Sequence, residues 1–76
     1  MEEKIREIMQ VVFDQDLSEF TVEDIAPKNL PQWDSLAHLN LITSLEQVLE
    51  VEFELDDMAT MMEGLASILK TLEKYQ

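Results

Sequence analysis

The hydroxyl of one serine is the most informative group in this sequence. Ser35 follows Trp33 and Asp34 and precedes Leu36, at the point where an amphipathic helix is predicted to begin. A group in the first turn of a helix lies near free backbone N–H groups and near the positive end of the helix dipole, and both favour an attached anion. The four residues therefore indicate a covalent attachment point.

Other residue types that carry chemistry lack the spacing that their chemistry needs. His38 has no suitably spaced Ser, Cys or metal-binding partner, so we expect it to be structural or partly exposed, at the edge of the core. Neither Asp14 with Asp16 nor the acidic cluster in 52–57 has the residue order of a calcium loop. The chain has no cysteine, which excludes disulfides and thiolate sites. We therefore expect no catalytic residue and no metal site.

The chain is strongly acidic. Seventeen Asp and Glu residues stand against five Lys and Arg residues, which gives a formal net charge of -12. This charge disfavours nucleic acid and an anionic membrane as partners, and it favours a basic protein surface. The same charges repel one another in the folded chain, so we expect added salt or Mg²⁺ to raise the melting temperature.

Length and composition predict one globular domain over 1–76. Hydrophobic residues make up 46% of the chain, enough for a core, and a single Gly argues against disorder or a strand-and-turn architecture. Met1 is followed by Glu2, Glu3 and Lys4 rather than by the basic and apolar segments of an export signal. No run of about 18 apolar residues occurs that could cross a bilayer. We expect a cytoplasmic monomer without membrane insertion.

Hydrophobic residues at helical spacing predict four helices, over 3–15, 35–50, 56–61 and 63–75. Between the first two, prolines disfavour a helix, and we expect a long ordered loop over 16–33. Its buried anchors are predicted to be Leu17, Phe20, Ile25, Leu30 and Trp33.

Two shorter segments have weaker patterns. Thr21 followed by Asp24 is similar to a capping box and predicts a short helical turn near 21–26. Residues 51–55 alternate like a strand, but the chain offers no second strand for pairing, so we expect an extended connector.

The second helix is predicted to have one buried and one exposed face. Asp34 is its expected N-cap, accepting a hydrogen bond from the amide of Leu36 or Ala37 and leaving the Ser35 hydroxyl free. The inward face should comprise Ala37, Leu41, Ile42, Leu45, Val48 and Leu49. The outward face should comprise Ser35, Leu36, Leu39, Thr43, Glu46, Gln47 and Glu50. Leucines beside carboxylates suit the docking of a basic partner.

The segment 33–36 (Trp-Asp-Ser-Leu), followed by 38–42 (His-Leu-Asn-Leu-Ile) and Leu45-Glu46, resembles the attachment motif and second helix of acyl carrier proteins. The resemblance extends over nearly the whole chain, because the predicted order of elements is similar to that family's, and 52–57 resembles the stretch that enters its third helix. It implies an all-α fold, a four-helix bundle with a long loop between helices 1 and 2 and a short helix 3.

The resemblance also implies a function. Ser35 would receive 4'-phosphopantetheine from coenzyme A through a phosphopantetheinyl transferase, and the terminal thiol would hold acyl intermediates as thioesters without catalysis by the carrier. Asp34 would help the transferase hold Mg²⁺ and recognise the site. Acyl-loading ligases or synthases with basic docking patches would be further partners. The residues implied to bind partners are Asp34, Leu36, Leu39, Thr43, Glu46 and Glu50.

Two features are similar to carriers from dedicated biosynthetic clusters, namely the Trp before the Asp-Ser pair and the His-Leu-Asn after it. The second helix also has less acid than is usual in carriers of general fatty acid synthesis. The resemblance therefore implies a specialised pathway of fatty acid or polyketide biosynthesis. The helical interior could part to shelter an acyl chain, but Met58, Met61 and Met62 are more simply read as ordinary core.

Two alternatives remain open at the level of sequence. Ser35 could be an ordinary polar residue in a first helical turn, in an acidic helical adaptor that binds a basic partner through Leu36, Leu39, Glu46 and Glu50 without modification. A small enzyme or metal sensor would need converging acid–base groups or a coordinating shell, and the sequence indicates neither.

Overall fold

The computed structural model describes residues 1–75, which form four α-helices and a terminal 3-10 turn, with no strand among them. The helices are α1 (Glu2–Phe13), α2 (Ser35–Leu49), α3 (Leu55–Met61) and α4 (Leu65–Leu72), and the 3-10 turn spans Glu73–Tyr75. The prediction of an all-helical chain is confirmed. The molecule measures 27 × 23 × 19 Å along its principal axes.

Helix α1 buries one face through residues spaced by four. Ile5, Met9 and Phe13 are buried, and the acidic first turn suits the positive end of the helix dipole. The helix ends at Phe13 rather than at the predicted residue 15. Asp14 adopts a left-handed conformation (φ 51°), and its amide returns to the carbonyl of Gln10, which stops the helix.

The loop over 14–34 is ordered by burial and by hydrogen bonds to its backbone. Its large apolar anchors are buried as predicted, except for Phe20, which is half-buried. The guanidinium of Arg6 on α1 donates to the carbonyls of Leu17 and Phe20, both at 2.7 Å. The helical turn predicted near 21–26 is instead a turn in which the Asp24 amide donates to the Thr21 hydroxyl at 3.2 Å.

The last helix begins at Leu65, two residues later than predicted. Gly64 adopts a φ of 143°, which side-chain-bearing residues rarely accept, and a Cβ there would lie 3.0 Å from the carbonyl oxygen of Ile25. This close approach lets the Leu65 amide donate to the same carbonyl at 2.8 Å. The loop and the start of α4 are therefore joined directly through their backbones.

The hydrophobic core is formed mainly by α1, the loop, α2 and α4. The short α3 follows an extended connector over 51–54 and packs against α4. Only Met61 of α3 is a fully buried apolar residue, whereas Met58 is partly buried and Leu55 is 82% exposed. Of the four α-helices, α3 therefore has the fewest buried apolar residues.

Candidate attachment site and docking face

The start of α2 is fixed by its N-cap. Asp34 has an extended backbone, and its Oδ1 accepts from the Ala37 amide at 2.9 Å. Its carbonyl accepts the first bond of the helix, from His38 N, at 2.9 Å. The predicted capping role of Asp34 is confirmed, and the cap uses the carboxylate of Asp34 rather than the hydroxyl of Ser35.

Ser35 is the first residue of α2 and is exposed. Within residues 1–75 its hydroxyl makes no hydrogen bond, and the amides of Ser35 and Leu36 have no backbone acceptor. An exposed hydroxyl beside free N–H groups can accept a bulky anionic substituent without displacing any contact of the fold.

Trp33 anchors the end of the loop directly before this hydroxyl. The indole is 3% exposed and packs on Phe13, with ring centroids 5.1 Å apart. Its Nε1–H donates to Nδ1 of His38 at 3.0 Å, so the polar group of the buried indole has an acceptor.

His38 is buried more deeply than the predicted core edge, with 7% of its surface exposed. Its Nε2 lies 2.8 Å from the carbonyl oxygen of Met58 on α3. Because the indole only donates and a carbonyl only accepts, the hydrogen bonds assign the tautomer: Nδ1 is bare and Nε2 carries the proton. Both ring nitrogens are occupied, so His38 is not available as a base for Ser35.

The outward face of α2 carries two exposed leucines. Leu36 is 70% exposed and Leu39 is 58% exposed, and Thr43, Gln47 and Glu50 are also exposed. We call these five residues and Asp34 the docking face. Its exposure agrees with the helical periodicity of the sequence.

Glu46 differs from the rest of the predicted outward set. It is half-buried, and its Oε2 accepts from the amide of Phe53 at 2.9 Å. Glu50 has a left-handed φ of 57° and turns the chain back over the last turn of α2, which brings the connector to this carboxylate. Val48, predicted to face the core, is 46% exposed, so that prediction was wrong.

A second polar cluster joins α3 to the terminal turn. Asp57, only 8% exposed, accepts from Lys74 Nζ at 2.8 Å and from the hydroxyl of Tyr75. The hydrogen bond from Lys74, and then that from Tyr75, lowers the pKa of Asp57 below its ordinary value. The Tyr75 oxygen accepts in turn from the Glu54 amide at 3.2 Å. Periodicity gave no signal for this cluster, because its members are 17 to 21 residues apart.

No group of three or more His, Cys, Asp and Glu side chains is arranged to hold a metal ion in the described part of the chain. None of the helices in the same range has the length and apolar character needed to span a bilayer. No protein-family model, no curated protein and no solved structure matches this chain. The case for a function therefore depends on the geometry around Ser35.

Proposed function

We propose that this protein is an acyl carrier protein with that family's four-helix bundle, and that Ser35 carries 4'-phosphopantetheine. One observation carries the proposal: the hydroxyl of Ser35 is exposed and free of hydrogen bonds in the first turn of α2, within the sequence Trp-Asp-Ser-Leu. The cap is made by Asp34, so the serine is spare for another purpose.

The residues around Ser35 fit a phosphodiester. Ala37 N is occupied by Asp34, which leaves the amides of Ser35 and Leu36 as free donors at the positive end of α2. The carboxylate of Asp34 adds negative charge at the same place, and it suits the recruitment of a Mg²⁺ ion brought by the modifying enzyme. The group itself would supply a terminal thiol on a flexible arm, which holds an acyl group as a thioester.

The attachment reaction needs a separate enzyme. Ser35 Oγ forms a bond to the coenzyme A phosphorus that carries the pantetheine arm, the P–O bond of the pyrophosphate breaks, and adenosine 3',5'-bisphosphate leaves. The hydroxyl proton must pass to a base, and His38 cannot take it because both of its nitrogens are engaged. In this proposal the phosphopantetheinyl transferase supplies the base, and the carrier supplies the oxygen.

The docking face supplies the contacts for partner enzymes. Leu36 and Leu39 offer apolar area beside Ser35, and Asp34 and Glu50 offer negative charge to basic patches on the transferase and on acyl-loading ligases or synthases. Glu46 contributes less, because a partner would have to displace its bond to the Phe53 amide. We further propose that the protein is a cytoplasmic monomer that acts in a specialised biosynthetic pathway. The absence of cysteine is compatible with the cytoplasm, and the net charge of -12 favours a monomer.

The test is covalent loading. The protein is incubated with coenzyme A, Mg²⁺ and a broad-specificity phosphopantetheinyl transferase, and the mass of the peptide containing residue 35 is measured. We expect the mass of one phosphopantetheine group to be added to the wild type and to Ser18→Ala, a variant at an exposed loop serine. Ser35→Ala should stay unmodified. An unmodified wild type, under conditions that load a control carrier, would overturn the proposal.

An acidic adaptor is the second candidate, and the exposure of Leu36 and Leu39 favours it independently of any modification. Such a protein would bind a basic partner through the docking face with Ser35 as an ordinary surface residue. Loss of binding in Leu39→Ala, together with unchanged binding and unchanged cellular function in Ser35→Ala, would favour the adaptor over the carrier.

A further inference from the structure

Helix α3 contributes few apolar side chains to the core. Of the apolar side chains on α3, only Met61 is fully buried, and Leu55 at its start is 82% exposed. Among residues 1–75, one side-chain hydrogen bond joins α2 to α3, between His38 Nε2 and the Met58 carbonyl at 2.8 Å. His38 therefore has a large share in fixing where α3 lies.

The same imidazole also holds the residues that precede Ser35. Its Nδ1 accepts from the Trp33 indole at 3.0 Å, and the two ring planes lie within 25° of each other. Trp33 is separated from Ser35 only by the capping residue, so its position sets the entry of the chain into α2. One side chain thus connects the attachment turn, defined as residues 33–35, with α3.

The two bonds are made together by one tautomer. The imidazole accepts a hydrogen bond from the indole at Nδ1 and donates one to the Met58 carbonyl from Nε2, so the two bonds do not compete. The ring is buried, and within the described chain no buried side-chain nitrogen or oxygen lacks a partner. Loss of either bond would leave a buried group unpaired, which favours the closed arrangement.

We propose that His38 is a positioning residue that holds the attachment turn and α3 in one arrangement, and that the transferase recognises Ser35 in that arrangement. The second half of this statement rests on the proposed carrier function, and the first half does not. A partner that contacts the docking face and α3 together meets a fixed surface only while both bonds of His38 are made. When α3 detaches, the fraction of competent molecules falls and the apparent affinity falls in proportion.

Two substitutions separate the two bonds. In His38→Asn the amide oxygen takes the place of Nδ1 and can accept from Trp33, but nothing reaches the Met58 carbonyl. In His38→Gln the amide nitrogen takes the place of Nε2 and can donate to Met58, but the indole loses its acceptor. Gln10→Ala is the matched control, because it removes a side-chain hydrogen bond of 2.8 Å, to the Leu17 amide, at the junction of α1 and the loop.

The first measurement is backbone and indole NMR on the folded variants. In His38→Asn we expect the amides of 59–61 in α3 to exchange about five- to tenfold faster, the factor for one lost hydrogen bond, while the indole resonance stays near its wild-type position. In His38→Gln we expect the reverse, a shifted indole resonance with α3 exchange close to that of the wild type. Equal acceleration at all amides in both variants would overturn the coupling, since it would mean only a loss of global stability.

The second measurement is steady-state loading by the transferase. We expect KM for the carrier to rise about three- to tenfold in both His38 variants with kcat little changed, and neither value to move in Gln10→Ala. A wild-type KM in both His38 variants would refute the role in recognition. A wild type that is never loaded would refute the carrier function and the recognition role together, and the exchange pattern would still decide whether His38 couples the attachment turn to α3.

Discussion

The hydroxyl of Tyr75 donates to the carboxylate of Asp57, which fastens the terminal 3-10 turn to the first turn of α3. Lys74 Nζ donates to the other oxygen of the same carboxylate at 2.8 Å. The Tyr75 ring also packs edge-on against Phe53, with centroids 5.0 Å apart. The short α3 is thus held by this clamp at its start and by His38 further along.

The decrease in the free energy of unfolding at acid pH should depend on Asp57. The hydrogen bond from Lys74, followed by that from Tyr75, lowers the pKa of Asp57 below 3.8 in the folded protein. A lowered folded pKa means that the contribution to stability is complete above 3.8 and is lost as the pH falls through the lower folded value. The free energy of unfolding of wild type should therefore exceed that of Asp57→Asn at pH 7, and the difference should narrow below about pH 4.

Denaturant unfolding of both proteins from pH 7 to pH 2 measures this difference. Unfolding of Tyr75→Phe at alkaline pH is the control. The bond to Asp57 raises the pKa of Tyr75 above 10.0, so its contribution is complete below that value and is lost as the pH rises through the raised folded pKa. Tyr75→Phe should flatten that alkaline loss. A difference between wild type and Asp57→Asn that is constant from neutral to acid pH would contradict the role of the clamp.

Two substitutions of Asp34 separate its role as the N-cap of α2 from the effect of its negative charge. Asp34→Ala removes the acceptor for the Ala37 amide and should lower the free energy of unfolding by about 1 kcal/mol. Asp34→Asn keeps an acceptor oxygen of the same reach and should retain most of that stability. Urea unfolding of the two variants makes the comparison, and equal losses in both would show that charge, not capping, is the contribution of Asp34 to the fold.

The C-terminal end of α2 stores backbone strain that a glycine should relieve. Glu50 has a left-handed φ of 57°, where its Cβ is crowded, and glycine is the usual residue at this position of a helix. Glu50→Gly should relieve about 1–2 kcal/mol of left-handed strain and add an entropy cost of about 0.5–1 kcal/mol, so the free energy of unfolding should rise by about 0.5–1 kcal/mol. Glu50→Gln removes the charge and keeps the strain, so a Gln variant as stable as the Gly variant would assign the gain to charge instead.

Added salt should stabilise the fold. The formal charge is -12, and the ion pairs formed among residues 1–75 are Glu2 with Arg6 and Asp57 with Lys74. Screening removes more repulsion than attraction in such a protein, so the melting temperature should rise with NaCl and more steeply with Mg²⁺. Thermal unfolding by circular dichroism measures this, and a melting temperature that is independent of salt would count against repulsion as a significant cost.

Local sequence signals were sufficient where one residue decides the structure. Asp34 before a run of apolar residues at helical spacing predicted the cap and the start of α2, and the loop sequence predicted Trp33 as a buried anchor. The ends of α1 and α2 were predicted less well, because left-handed caps are usually glycine. In this chain the left-handed caps are Asp14 and Glu50, and neither residue type predicts a left-handed conformation.

Tertiary contacts decided the remaining positions. Helical periodicity predicts that Glu46 faces outward and Val48 inward, whereas Glu46 is half-buried and Val48 is exposed. Periodicity takes no account of the connector over 51–54, whose Phe53 amide donates to Glu46. His38 was placed at the core edge because periodicity does not show that α3 crosses there with a free carbonyl at Met58. The exposure of Ser35, in contrast, was predicted correctly from its position at the start of α2.

The bond from the Leu65 amide to the Ile25 carbonyl has a consequence for biosynthesis. A chain leaving the ribosome can form α1 and begin to collapse, but the middle of its loop has no native partner for that carbonyl until residue 65 has emerged. The loop can therefore reach its final conformation only after residue 65 has been synthesised and has left the ribosome.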